Sequence, residues 1–144
     1  MQKTLVKDLM KKDPVIISGD LTLKEAAQEM EMTNCGALPV GTRDRLEGII
    51  TDRDIVLRAV AKGKDINQEK VKDYMTPEIC FVQEDDTFDL VADVMREKNI
   101  NRVLVEDEDG HPSGILTFGR IIRENDSMEE IVTVIECAVG RKAA

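Results

Sequence analysis

Hydrophobic positions along this chain change their period in a fixed order, and that order runs twice. Residues Val6-Lys7-Asp8-Leu9-Met10 give a short helical turn that closes before Pro14. The β-branched run Val15-Ile16-Ile17 predicts a strand. Leu23, Ala26, Ala27 and Met30 then fall at i, i+3, i+4 and i+7, which predicts a helix with one apolar face ending near Thr33. Thr22 and Glu25 stand at the spacing of a reciprocal N-terminal cap, and Asn34-Cys35-Gly36 breaks the helix. Residues 37–40 form a strand whose Pro39 implies an edge or an interrupted ladder. A polar turn at 42–45 leads to a strand at 46–50, and Thr51 opens a helix through about Ala61. Gly63 and the polar stretch 64–70 form a linker.

Val71-Lys72-Asp73-Tyr74-Met75 restarts the series 65 residues after its first occurrence. At the same offset Thr87 matches Thr22, Met95 matches Met30, Asn99 matches Asn34 and Val105 matches Val40. The following turn, 106–111, is one residue longer, after which Gly114-Ile115-Leu116-Thr117 matches Gly48-Ile49-Ile50-Thr51. The repeat divides the chain into 4–65, 69–125 and an extension at 126–144. In the extension Met128, Ile131, Val132, Ile135 and Val139 continue an amphipathic helix with no counterpart in the first copy. Its apolar face requires a partner, either its own domain's core or a second chain.

Composition narrows the function. Hydrophobic residues make up 42% of the 144, enough for a packed core, but aromatics are only 3%, so that core is aliphatic. The net charge of −9 opposes nucleic acid and anionic membrane surfaces. No apolar run reaches the roughly 18 residues of a spanning helix, and residues 1–5 lack a signal-peptide core. Cys35, Cys80 and Cys137 are isolated and odd in number, so neither a disulfide frame nor a zinc site is suggested; the single His also argues against a metal centre. The expectation is a soluble, reduced, cytoplasmic protein.

The Val-Lys-Asp-x-Met turn, the helix ending near Asn-x-Gly, Ala37-Leu38-Pro39-Val40 and Gly48-Ile49-Ile50-Thr51-Asp52-Arg53-Asp54 together resemble a CBS domain. Two in tandem resemble a Bateman module, and the likeness covers about residues 4–125. The resemblance implies an α/β (α+β) fold of two repeated units. Each would have a small three-stranded sheet and two helices, packed sheet to sheet with pseudo-twofold symmetry and leaving two equivalent clefts. It further implies an adenosyl ligand (AMP, ADP, ATP or S-adenosylmethionine), no required cofactor, and a disc-like homodimer.

The chemistry concentrates at Thr51-Asp52-Arg53-Asp54. Thr-x-x-Asp is first a helix cap, with Thr51 as N-cap and Asp54 favourable in the first turn. A helix N-terminus also offers free amides to a phosphate, and a carboxylate can accept from both ribose hydroxyls. The resemblance assigns these contacts to Thr51 and Asp54. It places the base near Cys35, Gly36, Ala37 and Ile49, with Asn101 reaching across from the second copy and Thr76, Cys80 and Phe81 as further candidates. Plain core packing serves these apolar positions equally well. Arg102, opening a strand in an acidic protein, needs an anion, either a phosphate or an Asp or Glu of the chain. In the second copy Thr117 keeps the cap, but Asp54 is replaced by Arg120. That cation either binds a phosphate or pairs with an acidic residue and leaves its cleft empty, so the two clefts are expected to be unequal.

Three functions compete. A ligand-sensing regulatory module acting on a separate protein is favoured by the duplication and the Thr-x-x-Asp helix start. A non-catalytic interaction or dimerisation module with degenerate clefts is the alternative. An enzyme is disfavoured: the sequence has no Ser/His/Asp set, no P-loop and no GxGxxG, and its one His, His111, lies in a polar turn beside Pro112.

Overall fold

The computed structural model describes residues 3–140 as a mixed α/β protein. Its elements are α1 (Val6–Leu9), β1 (Lys11–Lys12), α2 (Leu23–Thr33), β2 (Ala37–Gly41), β3 (Leu46–Thr51) and α3 (Asp52–Asp54). A π-helical segment (Ile55–Ala59) and a 3-10 turn (Val60–Lys62) continue α3 without a break, so that 52–62 acts as one helix. After a 3-10 turn at Val71–Asp73 come β4 (Phe81–Gln83), α4 (Phe88–Lys98), β5 (Arg102–Glu106), β6 (Pro112–Thr117), α5 (Phe118–Glu124) and α6 (Met128–Val139).

Local chemistry fixes the helix ends. The Thr22 hydroxyl accepts from the Glu25 amide at 3.2 Å, and the Glu25 carboxylate accepts from the Thr22 amide at 3.1 Å. These bonds to Thr22 hold the Glu25 carboxyl below its ordinary range. α2 and α4 each stop at an asparagine in the left-handed region, Asn34 (φ 52°) and Asn99 (φ 54°). Asparagine tolerates that conformation better than other residues bearing a Cβ. Residues 15–17 do not form a ladder. Ile17 makes a single parallel bridge to Val40, donating to the Pro39 carbonyl, while Val15 is exposed. Pro39 has no N–H to return, which limits pairing there.

The chain folds as two compact units, and they do not coincide with the two copies of the repeat. One unit is Pro14–Ile79. The other joins the described residues up to Asp13 with those from Cys80 onward. Each Val-Lys-Asp-x-Met turn is therefore built into the unit of the other copy. Val6, Leu9 and Met10 are buried with Val82, Phe88, Val91, Met95, Val103, Leu116 and Ile121. Val71 and Tyr74 are buried with Ile17, Leu23, Met30, Leu38, Val40, Ile50 and Ile55.

The second-copy unit has a four-stranded sheet in the order β1-β6-β5-β4, with β4 parallel to β5 and the other pairs antiparallel. The fourth strand comes from the N-terminal segment, with Lys11 opposite Ile115. In the first-copy unit β2 and β3 form an antiparallel pair, flanked by single bridges at Ile17 and at Thr76. Thr76 stands opposite Ile49, as Lys11 does opposite Ile115, so the two arrangements correspond. The methionine of each turn explains a strand glycine. A Cβ on Gly48 would lie 2.7 Å from the Thr76 carbonyl and 3.0 Å from Met75 Sδ, and one on Gly114 would strike Met10. The backbones approach this closely only because neither strand position carries a side chain.

α6 packs on α4 and α5, seating Val134 and Cys137. Its N-cap is Ser127, whose amide donates to buried Asn125 at 2.8 Å.

Candidate functional site at the helix starts

In the unit Pro14–Ile79, Ala37 opens β2 directly opposite Thr51 at the end of β3. The Asp52 amide donates to the Gly36 carbonyl at 2.9 Å, which ties the helix start to the segment before β2. The structure thus brings Cys35, Gly36, Ala37, Ile49, Thr51, Arg53 and Asp54 to one end of the β2–β3 pair, with Thr76 bridged to Ile49. Ala37 is fully buried, Cys35, Gly36, Ile49, Thr51 and Asp54 are half-buried, and Arg53 and Thr76 are exposed. The Cys35 thiol donates to the Ala37 carbonyl at 3.0 Å. A Cβ on Gly36 would lie 2.8 Å from Asp52 Oδ2, so the missing side chain there makes room for the Asp52 carboxylate.

Thr51 and Asp54 form a reciprocal cap. Thr51 Oγ1 accepts from the Asp54 amide at 3.1 Å, and Asp54 Oδ2 accepts from the Thr51 amide at 3.0 Å. An ionised carboxylate has about four acceptor directions on its two oxygens, and this cap takes one. Capping and ribose binding are therefore compatible at Asp54. One turn on, Arg58 donates to the Tyr74 carbonyl, and its guanidinium stands 5.9 Å from the centroid of the Tyr74 ring.

The second-copy unit repeats the frame with different side chains. Arg102 opens β5 opposite Thr117, and the Phe118 amide donates to the Asn101 carbonyl at 3.0 Å. Thr117 Oγ1 accepts from the Arg120 amide at 3.1 Å. The structure joins Asn101 and Arg102 to this helix start, with Arg102 Nε donating to Asn101 Oδ1 at 3.1 Å. Phe81 pairs with Leu104 in β4, and Cys80 packs against the same unit's core.

Arg120 has a definite structural role. Its Nε donates to the Leu9 carbonyl at 3.0 Å, its Nη2 to the Met10 carbonyl at 3.4 Å, and its Nη1 lies 4.0 Å from Glu124. Leu9 is the repeat counterpart of Tyr74, so each unit closes the same carbonyl with an arginine. Its source differs: Arg58 in the first copy, Arg120 in the second. The first copy places Asp54 and Arg58 four residues apart, and the second places Arg120 and Glu124 there with the signs reversed. Sequence reasoning overlooked Arg58 and Glu124, and it named Asp52 without giving it a role. The reversed pair was visible as a signal once the copies were set 66 residues apart.

Asp107, Asp109 and His111 also gather at the β5–β6 turn, with one donor atom of each within 4.8 Å of the others. Asp107 Oδ1 already accepts from the amides of Asp109 and His111, at 2.9 and 3.0 Å, as a turn-closing residue does. Among the described residues, no helix is long and apolar enough to cross a membrane.

A model of the CBS domain family matches residues 6–60 and 71–127. The chain belongs to the CBS domain family. It holds two CBS domains in tandem, similar to CBS domain-containing protein YhcV of Bacillus subtilis, with 33% identity over 79% of this chain and 80% of that protein. It is also similar to Hypoxic response protein 1 of Mycobacterium tuberculosis, with 35% identity over 83% of this chain and 84% of that one. Among solved structures, it is similar to the CBS domain pair of protein MJ0100 in complex with 5′-methylthioadenosine and S-adenosyl-L-methionine. That match has 34% identity and a TM-score of 0.73, covering 83% of this chain and 98% of the other.

Proposed function

We propose that this CBS domain pair is a non-catalytic sensor that binds an adenosyl ligand at the helix start of its first copy and signals by rearranging as a homodimer. The observation that carries this reading is Asp54. It is a carboxylate in the first turn of a helix, held by a cap that leaves most of its acceptor capacity open. Ribose hydroxyls suit it, whereas the amides of Asp52, Arg53 and Asp54 already donate to the Gly36 carbonyl, Asp52 Oδ1 and Thr51 Oγ1. The adenosyl ligands of the MJ0100 pair support the same ligand class. The second helix start is a structural joint on this reading, because Arg120 is spent on the Leu9 and Met10 carbonyls and on Glu124. One ligand per chain follows. Signalling requires that the ligand favour one arrangement over another, since only differential binding shifts an equilibrium.

Isothermal titration with AMP, ATP and S-adenosylmethionine tests the assignment. Asp54→Asn keeps the shape of the cap and removes the charge. For the ligand that binds, it should weaken affinity by about 1.5–3 kcal/mol, roughly 10- to 150-fold. Unchanged affinity in this variant sinks the ribose assignment. If none of these ligands binds or raises the melting temperature, the degenerate interaction module is the better reading.

A further inference from the structure

The helix 52–62 is not wound evenly. Its start is fixed, since the Asp52 amide donates to the Gly36 carbonyl at 2.9 Å and Thr51 and Asp54 cap each other. Then Ile55–Ala59 is π-helical, and the Val60 amide is shared between the carbonyls of Ile55 and Val56, five and four residues back. The first is the π partner and the second the α partner, so one donor sits between two registers. Little holds this winding from outside. Val56, Leu57 and Val60 are exposed, and of 55–60 it is Ile55 and Ala59 that reach the core. The helix ends at Gly63 (φ 71°), where an added Cβ would meet nothing within 4 Å. In the second copy the counterpart helix, α5, is regularly α-helical over Phe118–Glu124.

The winding decides what Arg58 can touch. In an α-helix residues four apart stand one above the other, and an acidic residue four before a basic one is the favourable order. The second copy shows the outcome at the same two positions, with Arg120 Nη1 4.0 Å from Glu124 on α-helical α5. A π segment turns less per residue, so Arg58 falls short of the position above Asp54. It instead donates to the Tyr74 carbonyl and lies over the Tyr74 ring, where Glu69 and Asp73 add negative charge. Carboxylates therefore stand at both ends of the reach of Arg58. Glu69 and Asp73 lie beside Tyr74, and Asp52 and Asp54 lie in the first turn of the helix.

We infer that the segment 55–59 is a register switch that gates Asp54. In the π register Arg58 holds the entry turn 71–75 through Tyr74, and the Asp54 carboxylate is open to a ligand. In the α register Arg58 moves over Asp54, takes Oδ1, which the cap leaves, and releases the Tyr74 carbonyl. A ligand competes with Arg58 for one carboxylate, so binding favours the π register and the closed entry turn. Both the site and the turn belong to the unit Pro14–Ile79, and the turn opens the second copy of the repeat. The inference rests on the reading of Asp54 as a ribose acceptor.

Relaxation dispersion on the unliganded full chain tests the switch without any ligand. The amides of Ala59 and Val60 should exchange on the microsecond-to-millisecond scale at a rate shared with Tyr74 and Met75. Asp54→Asn keeps the cap and removes the charge that draws Arg58. It should lower the closed population, and the exchange broadening with it, about twofold or more. Arg58→Gln removes the group that the two segments share, so it should uncouple them. A wild type without this exchange, exchange that Asp54→Asn leaves unchanged, or a common rate that survives Arg58→Gln each overturns the switch. Whichever of S-adenosylmethionine, AMP and ATP binds should quench the wild-type exchange at saturation. A bound ligand that leaves it unchanged overturns the gate and leaves the Asp54 site standing. If none of the three binds, the ligand reading fails, and the two variants still decide the switch.

Discussion

The two helix starts share a backbone frame and differ in where they spend an arginine. At Thr51 the cap is closed by a carboxylate, Asp54, and the carbonyl of Tyr74 is held from four residues further along by Arg58. At Thr117 the cap is made by the hydroxyl, and Arg120 reaches from the first turn to the carbonyls of Leu9 and Met10. The frame needs one cation to close its entry turn. Supplying it from the later position leaves the first turn free for a carboxylate. Supplying it from the first turn removes that possibility, and Glu124 then takes the other position. The difference at Arg120 is one exchange of two charges, with a structural task kept and the first-turn carboxylate lost.

The largest effects should come from breaking the crossed assembly on which both joints depend. Leu9→Ala should destabilise by about 2–5 kcal/mol, because a buried leucine is removed from a packed core. Its repeat counterpart, Tyr74→Ala, should cost a similar amount in the other unit. Hydrogen exchange separates the two. Leu9→Ala should raise exchange in β4, α4, β5 and β6 more than in 14–79, and Tyr74→Ala should do the reverse. Loss of protection confined to the mutated residue's own copy of the repeat would contradict the crossed assembly.

Next in size is the arginine exchange. Arg120→Ala leaves the Leu9 and Met10 carbonyls without their donor and should cost about 1–3 kcal/mol in urea unfolding, with little change in ligand affinity. The double exchange Arg120→Asp with Glu124→Arg rebuilds the first copy's pattern in the second. On the proposed function it should raise the ligand stoichiometry from one to two per chain. Recovered stability without a second ligand would show that Asp54 needs more of its surroundings than this pair.

The caps should be nearly equal between the copies. Thr51→Ala and Thr117→Ala each remove a hydroxyl that accepts a first-turn amide, at about 0.5–2 kcal/mol. Matching thermal shifts with only Thr51→Ala reducing ligand affinity would isolate the functional difference.

The smallest effect concerns pH. Burial, reinforced by Glu69, holds the Tyr74 phenol above its ordinary value of 10.0. A raised folded-state value means that the contribution is complete below about pH 10 and is lost as the pH climbs through the folded value. Tyr74 is the chain's one tyrosine, so its ultraviolet titration reads this group alone. Its midpoint should fall on unfolding, and no counterpart signal comes from Leu9.

Much of the fold was legible because it is local. The cap at Thr22, the left-handed stops at Asn34 and Asn99, and the 3.6-residue periodicity of α2 and α4 each act within a few residues, so the residues themselves encode them. The strand at 15–17 was misjudged because β-branching describes a residue's preference, whereas a ladder needs a partner with donors, and Pro39 lacks one. Arg120 was recognised as the departure, but the carbonyls it holds, of Met10 and Leu9, lie 110 and 111 residues away and leave no pattern along the chain.

The sequence by itself determined that there are two copies, where their helices begin, and that the copies disagree at Asp54 and Arg120. Only the tertiary structure decided where one folded unit stops and the next starts. A tandem repeat fixes a period and leaves its phase open: the turn Val-Lys-Asp-x-Met reads equally well as the head of one copy or the tail of the other. Burial settles it, because Val6, Leu9 and Met10 find their core among residues 82–134, and Val71 and Tyr74 find theirs among residues 17–59.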